Sequence, residues 1–381
     1  MNIVIAIDSF KGSLTSMEAG NAVAQGIRQA DPSANITVRP LADGGEGTVE
    51  ALIQGMHGTR QEISVTGPLG QPVLCTYGII RERATAVIEM SGAAGLTLIP
   101  EKERNPFYTT TYGVGEIIRD AIRKGCRRFI VGIGGSATND GGIGMLQALG
   151  FDFLGEDGQP VPFGARGLEK LKTISAQHAL PQLPECSFQV ACDVSNVLCG
   201  PNGCSAVFGP QKGAGPDLIL RMDRWLEHYA ALARELYPKA DPLHEGTGAA
   251  GGMGFAFLTF LNARLEPGIR IILKEICLEK YFPDADLIIT GEGQLDGQTV
   301  MGKAPAGVAE LAKQYHKPVI AFAGSVTPDA IQCNRHGIDA FFPILRSITT
   351  LDEAMDPEHA KRNLSDTAEQ VFRLIGAVKS F

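Results

Sequence analysis

Short, unbroken apolar runs alternate with amphipathic stretches along most of the chain. Residues 2–7 (NIVIAI) form one such run, which stops at the polar pair Asp8-Ser9. The spacing beyond it predicts a helix over 17–29, with Ser16 as its cap. Residues 36–40 predict a second strand that leads into the loop 41–48 and a further helix. Toward the other end, 286–290, 319–323 and 340–344 are again continuous runs, the first two ending at glycines. Continuous Val/Ile/Ala runs separated by helical patterns predict a parallel sheet covered on both faces. The middle reads differently. Residues 66–80 and 84–90 predict antiparallel strands with turns at Gly67-Pro68 and Gly70. Residues 129–132 and 189–194 predict buried strands, and 213–237 a long helix. The chain is therefore read as α/β at its two ends around a mixed α/β centre.

Length and charge narrow the classes. At about 150 residues per domain, 381 residues suggest two domains. Lys and Arg number 34 against 42 Asp and Glu, a net charge of −8. That balance speaks against a general nucleic-acid-binding surface, so an anionic ligand would be held by a local site. No run of about 18 apolar residues predicts a membrane span. The N-terminal run lacks a basic region and a cleavage site, so it is read as a strand and not as a signal peptide. The eight cysteines form no CxxC and no zinc-ligand spacing, which fits reduced thiols in a cytoplasmic protein. The 46 glycines are about 12% of the chain, against an average near 7%, and they cluster in loops. Clustered glycine marks backbone that turns sharply or comes close to a ligand.

In doubly wound sheets, ligands lie beyond the carboxyl ends of the strands. Several glycine loops follow predicted strands here, most with Asp, Glu, Ser or Thr beside the glycine. Glycine lets amide N–H groups face a phosphate. An acidic residue in such a loop binds a cation, takes a proton or caps a helix. A cap or turn brace explains any single loop; five or more in one chain point to a site for phosphate, metal and a small polar substrate. Residues 297–304 (GQTVMGKA) have the spacing of a phosphate-binding loop, but Ala304 stands where Ser or Thr must hold Mg²⁺. This is not a true P-loop, although Lys303 can still reach a phosphate. Residues 132–137 (GIGGSA) fit G-x-G-x-x-A after a strand, with Asp152 about 20 residues on, which keeps a nicotinamide oxidoreductase as a rival. Lys212, between glycines in 208–214, suits a phosphate or carboxylate. The stretch 246–254 reads equally as a nucleotide cradle or as close helix packing. None of the seven histidines lies in a glycine loop or at metal-ligand spacing.

Five of these segments, 8–13 (DSFKGS), 42–48 (ADGGEGT), 132–142 (GIGGSATNDGG), 208–213 (FGPQKG) and 290–296 (TGEGQLD), resemble the signatures of the type 1 glycerate kinases, in order along essentially the whole chain. Two positions depart: Ile7, where many relatives have Pro, and Gln294, where Arg is common. The resemblance implies ATP-dependent phosphorylation of D-glycerate to 2-phosphoglycerate, in the breakdown of glyoxylate and sugar acids. It implies a flavodoxin/Rossmann-like domain, 1–66 plus 288–381, with a mixed α/β domain, 67–287, inserted in it and the active site in the cleft between them. The cofactors expected are ATP and Mg²⁺. The partner is a small molecule, with no nucleic acid or membrane, in a homodimer or monomer.

Phosphoryl transfer needs positioning and charge neutralisation more than covalent chemistry. Asp193 and Asp296 are read as base and metal ligand, in either order, with Asp43 a further Mg²⁺ candidate. Lys11 and Lys212 are read as cations for the phosphate or the glycerate carboxylate. The binding set comprises Asp8, Ser9, Asp43, Gly44, Gly45, Glu46, Gly134, Gly135, Ser136, Thr138, Asn139, Asp140, Glu292 and Lys303. Three alternatives stay open: a product phosphorylated at the 3-hydroxyl, a nicotinamide-dependent hydroxy-acid oxidoreductase, and a ligand-binding regulator without turnover.

Overall fold

The computed structural model describes residues 1–379. It divides into two compact units. The first comprises Met1–Asp43, Glu50–His57 and the chain from Ile269 onward; the second comprises Gly44–Val49 and Gly58–Gly268.

The first unit is built on a five-stranded sheet in the order Ala340–Pro343, Val319–Val326, Leu287–Leu295, Asn2–Ile5, Asn35–Val38. Every neighbouring pair is parallel. The apolar runs explain this: Ile3, Ile5, Ile289 and Phe322 are almost fully buried, as strands sandwiched between helices must be. The helix Ser16–Ala30 is capped by Thr15, whose side chain takes the Glu18 N–H while Glu18 reaches back to the Thr15 N–H. Thr15 therefore fills the capping role expected of Ser16, and the Ser16 hydroxyl serves another purpose. This helix lies against Pro357–Lys379 at backbone distance: a Cβ on Gly26 would fall 1.9 Å from the Ser365 carbonyl oxygen, so only glycine fits.

The second unit carries a six-stranded mixed sheet in the order Arg264–Glu266, Ser187–Ala191, Arg128–Gly132, Thr85–Glu89, Pro72–Ile80, Thr59–Thr66. The first four strands run parallel and the last two pair antiparallel. The strand Thr59–Thr66 (TRQEISVT) alternates polar with apolar residues at the sheet edge, so it offers no continuous run to read. Phe129 stacks on Phe188 at 4.7 Å across adjacent strands, the centre of an aromatic core. The helix Pro216–Leu236 matches the long helical pattern of 213–237. No described helix is long and apolar enough to cross a membrane.

Candidate active site

In the first unit, loops that leave the carboxyl ends of the strands bring acidic residues from both ends of the chain together. Asp8 follows the strand Asn2–Ile5, and Asp43 follows Asn35–Val38. Ser16 ties these two exits. Its hydroxyl donates to the Ile7 carbonyl at 2.6 Å and accepts the Leu41 N–H at 2.8 Å. Burial pushes the Asp8 carboxyl up to about 8, and the charges of Asp43 and Glu292 add to it against the Ser9 amide and Lys11. The exposed Lys11 lies 3.7 Å from Asp43. Ser9 donates its N–H to Asp8 at 2.7 Å.

The strand Leu287–Leu295 carries Glu292, and Asp296 follows it directly. Thr299, fully buried, joins the two. Its hydroxyl donates to Glu292 at 2.6 Å and accepts the Asp296 N–H at 3.1 Å, while its own N–H donates to the Asp296 carboxylate at 3.1 Å. Lys303 stands 3.4 Å from Asp296 and 4.0 Å from Glu292. Burial pushes Glu292 up, opposed by Thr299 and Lys303. For Asp296 burial is the largest single influence and pushes it up, but Lys303 and the amides of Gln298 and Thr299 together outweigh it, and its carboxyl lies below the ordinary range. Gln294, at the position where Arg is common, also donates to Asp296, at 3.4 Å.

In the second unit, the strands Arg128–Gly132 and Ser187–Ala191 run side by side with Gly132 opposite Ala191. Gly134 and Asp193 each lie two residues beyond that pair, so they leave the same edge of the sheet together. Asp193 is exposed, and its carboxylate accepts the Gly268 N–H at 2.9 Å. Gly134 and Gly135 are exposed, and Gly135 has φ +71. Among the described residues, the N–H groups of Gly134, Gly135 and Ser136 donate to no protein acceptor. Behind this turn lies Lys212, 2% exposed. Its ammonium donates to the Ser136 hydroxyl at 2.8 Å and to the Thr138 carbonyl at 2.7 Å. Among the described residues no carboxylate stands within ion-pair distance of it, and burial lowers its pKa from 10.5 to about 8.

The loop Gly44–Val49 packs against this edge. Gly44 has φ +95, and a Cβ there would fall 2.6 Å from the Ala191 Cβ and 2.8 Å from the Gly268 Cα, so the approach requires glycine. Gly45 lies beside Gly134, and Glu46 is exposed. Glu89, at the end of its strand, holds the loop by accepting the Val49 N–H at 2.8 Å. Burial pushes the Glu89 carboxyl up, against the pull of the Val49, Gly47 and Thr48 amides.

Two of the expected binding residues are engaged by the protein itself. Asp140 is fully buried and accepts the N–H and hydroxyl of Thr111, both at 2.9 Å, and the Gly142 N–H at 3.0 Å. Asn139 is also buried and donates to the Ser205 hydroxyl at 2.9 Å. The glycine stretch 246–254 is packing: a Cβ on Gly251 would fall 2.1 Å from the Thr138 carbonyl oxygen, and one on Gly252 2.8 Å from the Gly141 Cα. It presses the loop 138–141 into place. Ser16, Glu89 and Thr299 were not singled out as site residues from sequence. Each is an ordinary helix, strand-end or loop residue until the fold shows which backbone or carboxylate it holds. Among the described residues, no three His, Cys, Asp or Glu side chains gather closely enough to hold a metal ion by themselves. All eight cysteines are free thiols.

Comparison with known proteins bears directly on this geometry. The sequence profile of the glycerate kinase family matches residues 3–376. The chain belongs to the glycerate kinase family. It is 46% identical over 375 residues to a glycerate kinase of Haemophilus influenzae, covering 98% of this chain and 99% of that one. It is also 46% identical over 372 residues to the glycerate 2-kinase of Escherichia coli K12, covering 96% and 98%. A crystal structure assigned as a glycerate kinase 2 from Salmonella typhimurium LT2 superposes with a TM-score of 0.92 at 45% identity, with full coverage of both chains. The family places both the acidic loops of the first unit and the amide-rich turn of the second inside one matched length of chain.

Proposed function

We propose that this chain catalyses transfer of the γ-phosphoryl group of ATP to the 2-hydroxyl of D-glycerate, giving 2-phosphoglycerate and ADP. The observation that carries this reading is the 46% identity, over 96% of the chain, to a glycerate 2-kinase. The two groups of side chains described above then serve one reaction. Carboxylates are the oxygen donors that Mg²⁺ prefers, and Mg²⁺ is commonly held by one or two of them together with substrate phosphates. Burial is the main cause of the raised pKa of Asp8, and the charges of Asp43 and Glu292 add to it; carboxylates this close to one another support a bound dication. Asp296 and Asp43 would hold Mg²⁺, which when bound neutralises the transferring phosphoryl group. Lys11 and Lys303 add positive charge at these carboxylates, and Asp8, Ser9 and Glu292 line the same set.

Asp193 accepts the proton of the attacking hydroxyl in this reading, and Gly44 packs against Gly268, whose N–H Asp193 holds. Asp296, held ionised by Lys303 and two amides, is the poorer base and the better cation ligand. The enzyme works in the cytoplasm, which its free thiols support. The test is a coupled ADP-release assay with D-glycerate, L-glycerate and tartronate, followed by phosphorus NMR of the product. Phosphate on the 3-hydroxyl would overturn the regiochemistry. Absence of ADP release with a substrate-linked NADH signal would overturn the kinase reading in favour of an oxidoreductase.

A further inference from the structure

We infer that the second unit alone recognises the hydroxy acid: the Gly134–Ser136 turn, backed by Lys212, grips the glycerate carboxylate and presents its 2-hydroxyl to Asp193. This rests on the kinase reading and adds to it which unit takes which substrate.

Three observations carry it. The first is the turn itself. Consecutive N–H groups without protein acceptors among the described residues, two of them on exposed glycines, are the backbone donors that an anion-binding turn uses. The second is Lys212. Its ammonium donates to the Ser136 oxygen, which leaves the Ser136 O–H free to donate to a ligand. A buried cation thus stands one hydroxyl behind the exposed amides, and the carboxyl of Asp140 acts on it only from beyond ion-pair distance. Thr138, wholly buried on the same loop, also has a hydroxyl without a partner among the described residues. A carboxylate carries the single negative charge that this single ammonium matches. A triphosphate carries several, together with a dication that carboxylates such as Asp43 and Asp296 of the first unit suit better.

The third observation is register. Because Gly132 lies opposite Ala191, the turn and Asp193 emerge from neighbouring strands, roughly one strand spacing of about 4.8 Å apart. In a 2-hydroxy acid the carboxylate and the reacting hydroxyl sit on adjacent carbons. A carboxylate seated on the turn therefore brings the neighbouring hydroxyl within reach of Asp193. In the transfer, the 2-hydroxyl oxygen forms the new bond to the γ-phosphorus of ATP. The bond from that phosphorus to the bridging oxygen breaks, ADP leaves with the electron pair, and the hydroxyl proton goes to Asp193.

The experiment uses the full chain, its K212M and S136A variants, and two readouts. Initial rates with D-glycerate and Mg·ATP varied in turn should show the KM for D-glycerate raised about 100-fold in K212M and about 10-fold in S136A, as loss of a charge-assisted and of a neutral donor implies, with the KM for ATP within about twofold. Calorimetry with D-glycerate alone should show binding to the unsubstituted chain and none to K212M. A raised KM for ATP with that for D-glycerate unchanged would overturn the inference, as would unchanged values for both. If K212M does not fold, the same comparison on S136A decides. If the unsubstituted chain binds D-glycerate through Lys212 but shows no ATP-dependent turnover, the kinase reading fails while the recognition site stands.

Discussion

Replacing Lys212 by Met should make the protein more stable while removing its grip on substrate. Met keeps the length of the side chain and removes the charge. The lysine ionises at 10.5 in the open chain and at about 8 when folded, so below pH 8 holding its charge inside costs about 3 kcal/mol. Two hydrogen bonds are lost in return, those to the Ser136 hydroxyl and the Thr138 carbonyl, at about 1–2 kcal/mol together. The net gain is about 1–2 kcal/mol, or a rise in Tm of roughly 2–8 °C for a unit of this size. The sign with pH follows from linkage. Between pH 8 and 10.5 the unfolded chain binds a proton at this group that the folded protein has released, so the unsubstituted protein regains stability as pH rises through that window. The advantage of Lys212→Met should therefore be constant up to about pH 8 and shrink above it. Thermal melts of both proteins at pH 6, 8 and 10 measure this. A variant less stable than the parent at every pH would refute the reasoning and show that the ammonium is satisfied where it lies.

Other substitutions bear on separate parts of the site. Asp8 keeps its proton in the folded state up to about pH 8 while the unfolded chain loses it near 3.8, so stability should fall by up to about 1.4 kcal/mol per pH unit across that window. Asp8→Asn should flatten this slope in urea titrations between pH 5 and 8; an unchanged slope would assign the pH dependence elsewhere. Thr299→Val should lower kcat about 10–100-fold by releasing Glu292 and Asp296, and Thr299→Ser should restore most of it. Equal rates for Val and Ser would leave Thr299 without a positioning role. Asp193→Asn and Asp296→Asn should each lower kcat at least about 100-fold with the fold intact by circular dichroism, and near-normal turnover would remove either from the catalytic set. Ala250 has φ 53 and should gain about 1 kcal/mol on replacement by Gly, whereas Gly251→Ala should lower Tm sharply because its Cβ meets the Thr138 carbonyl. Equal melting temperatures for the two would contradict this account of the left-handed turn.

The continuous apolar runs told most about the first sheet, because a strand buried on both faces writes its whole length in Val, Ile and Ala. The second sheet was legible only where its strands are central. Thr59–Thr66 alternates at the edge, and the strand Thr85–Glu89 pairs antiparallel on one side and parallel on the other, which no local pattern records. Within the candidate site, glycine beside carboxylate marked the loops but not the use of each residue. Asp140 and Asp193 look alike in sequence; one is wrapped by Thr111 and the Gly142 amide, and the other is exposed at a strand end. Ser16 and Thr299 were silent because a hydroxyl has no chemistry until a carbonyl or carboxylate is set beside it. Lys212 was visible as a lysine between glycines, but its burial without an ion-pair partner is a property of the packed interior.

The pairing of Asn2–Ile5 with Leu287–Leu295 has a temporal meaning. At the usual pace of synthesis, roughly 15 to 60 s separate the emergence of these two neighbours from the ribosome. Over that interval the strand Asn2–Ile5 has only Asn35–Val38 to pair with, while the stretch from Gly58 to Gly268 becomes complete and able to condense. The first sheet can therefore close only after the whole length of the second unit has been made.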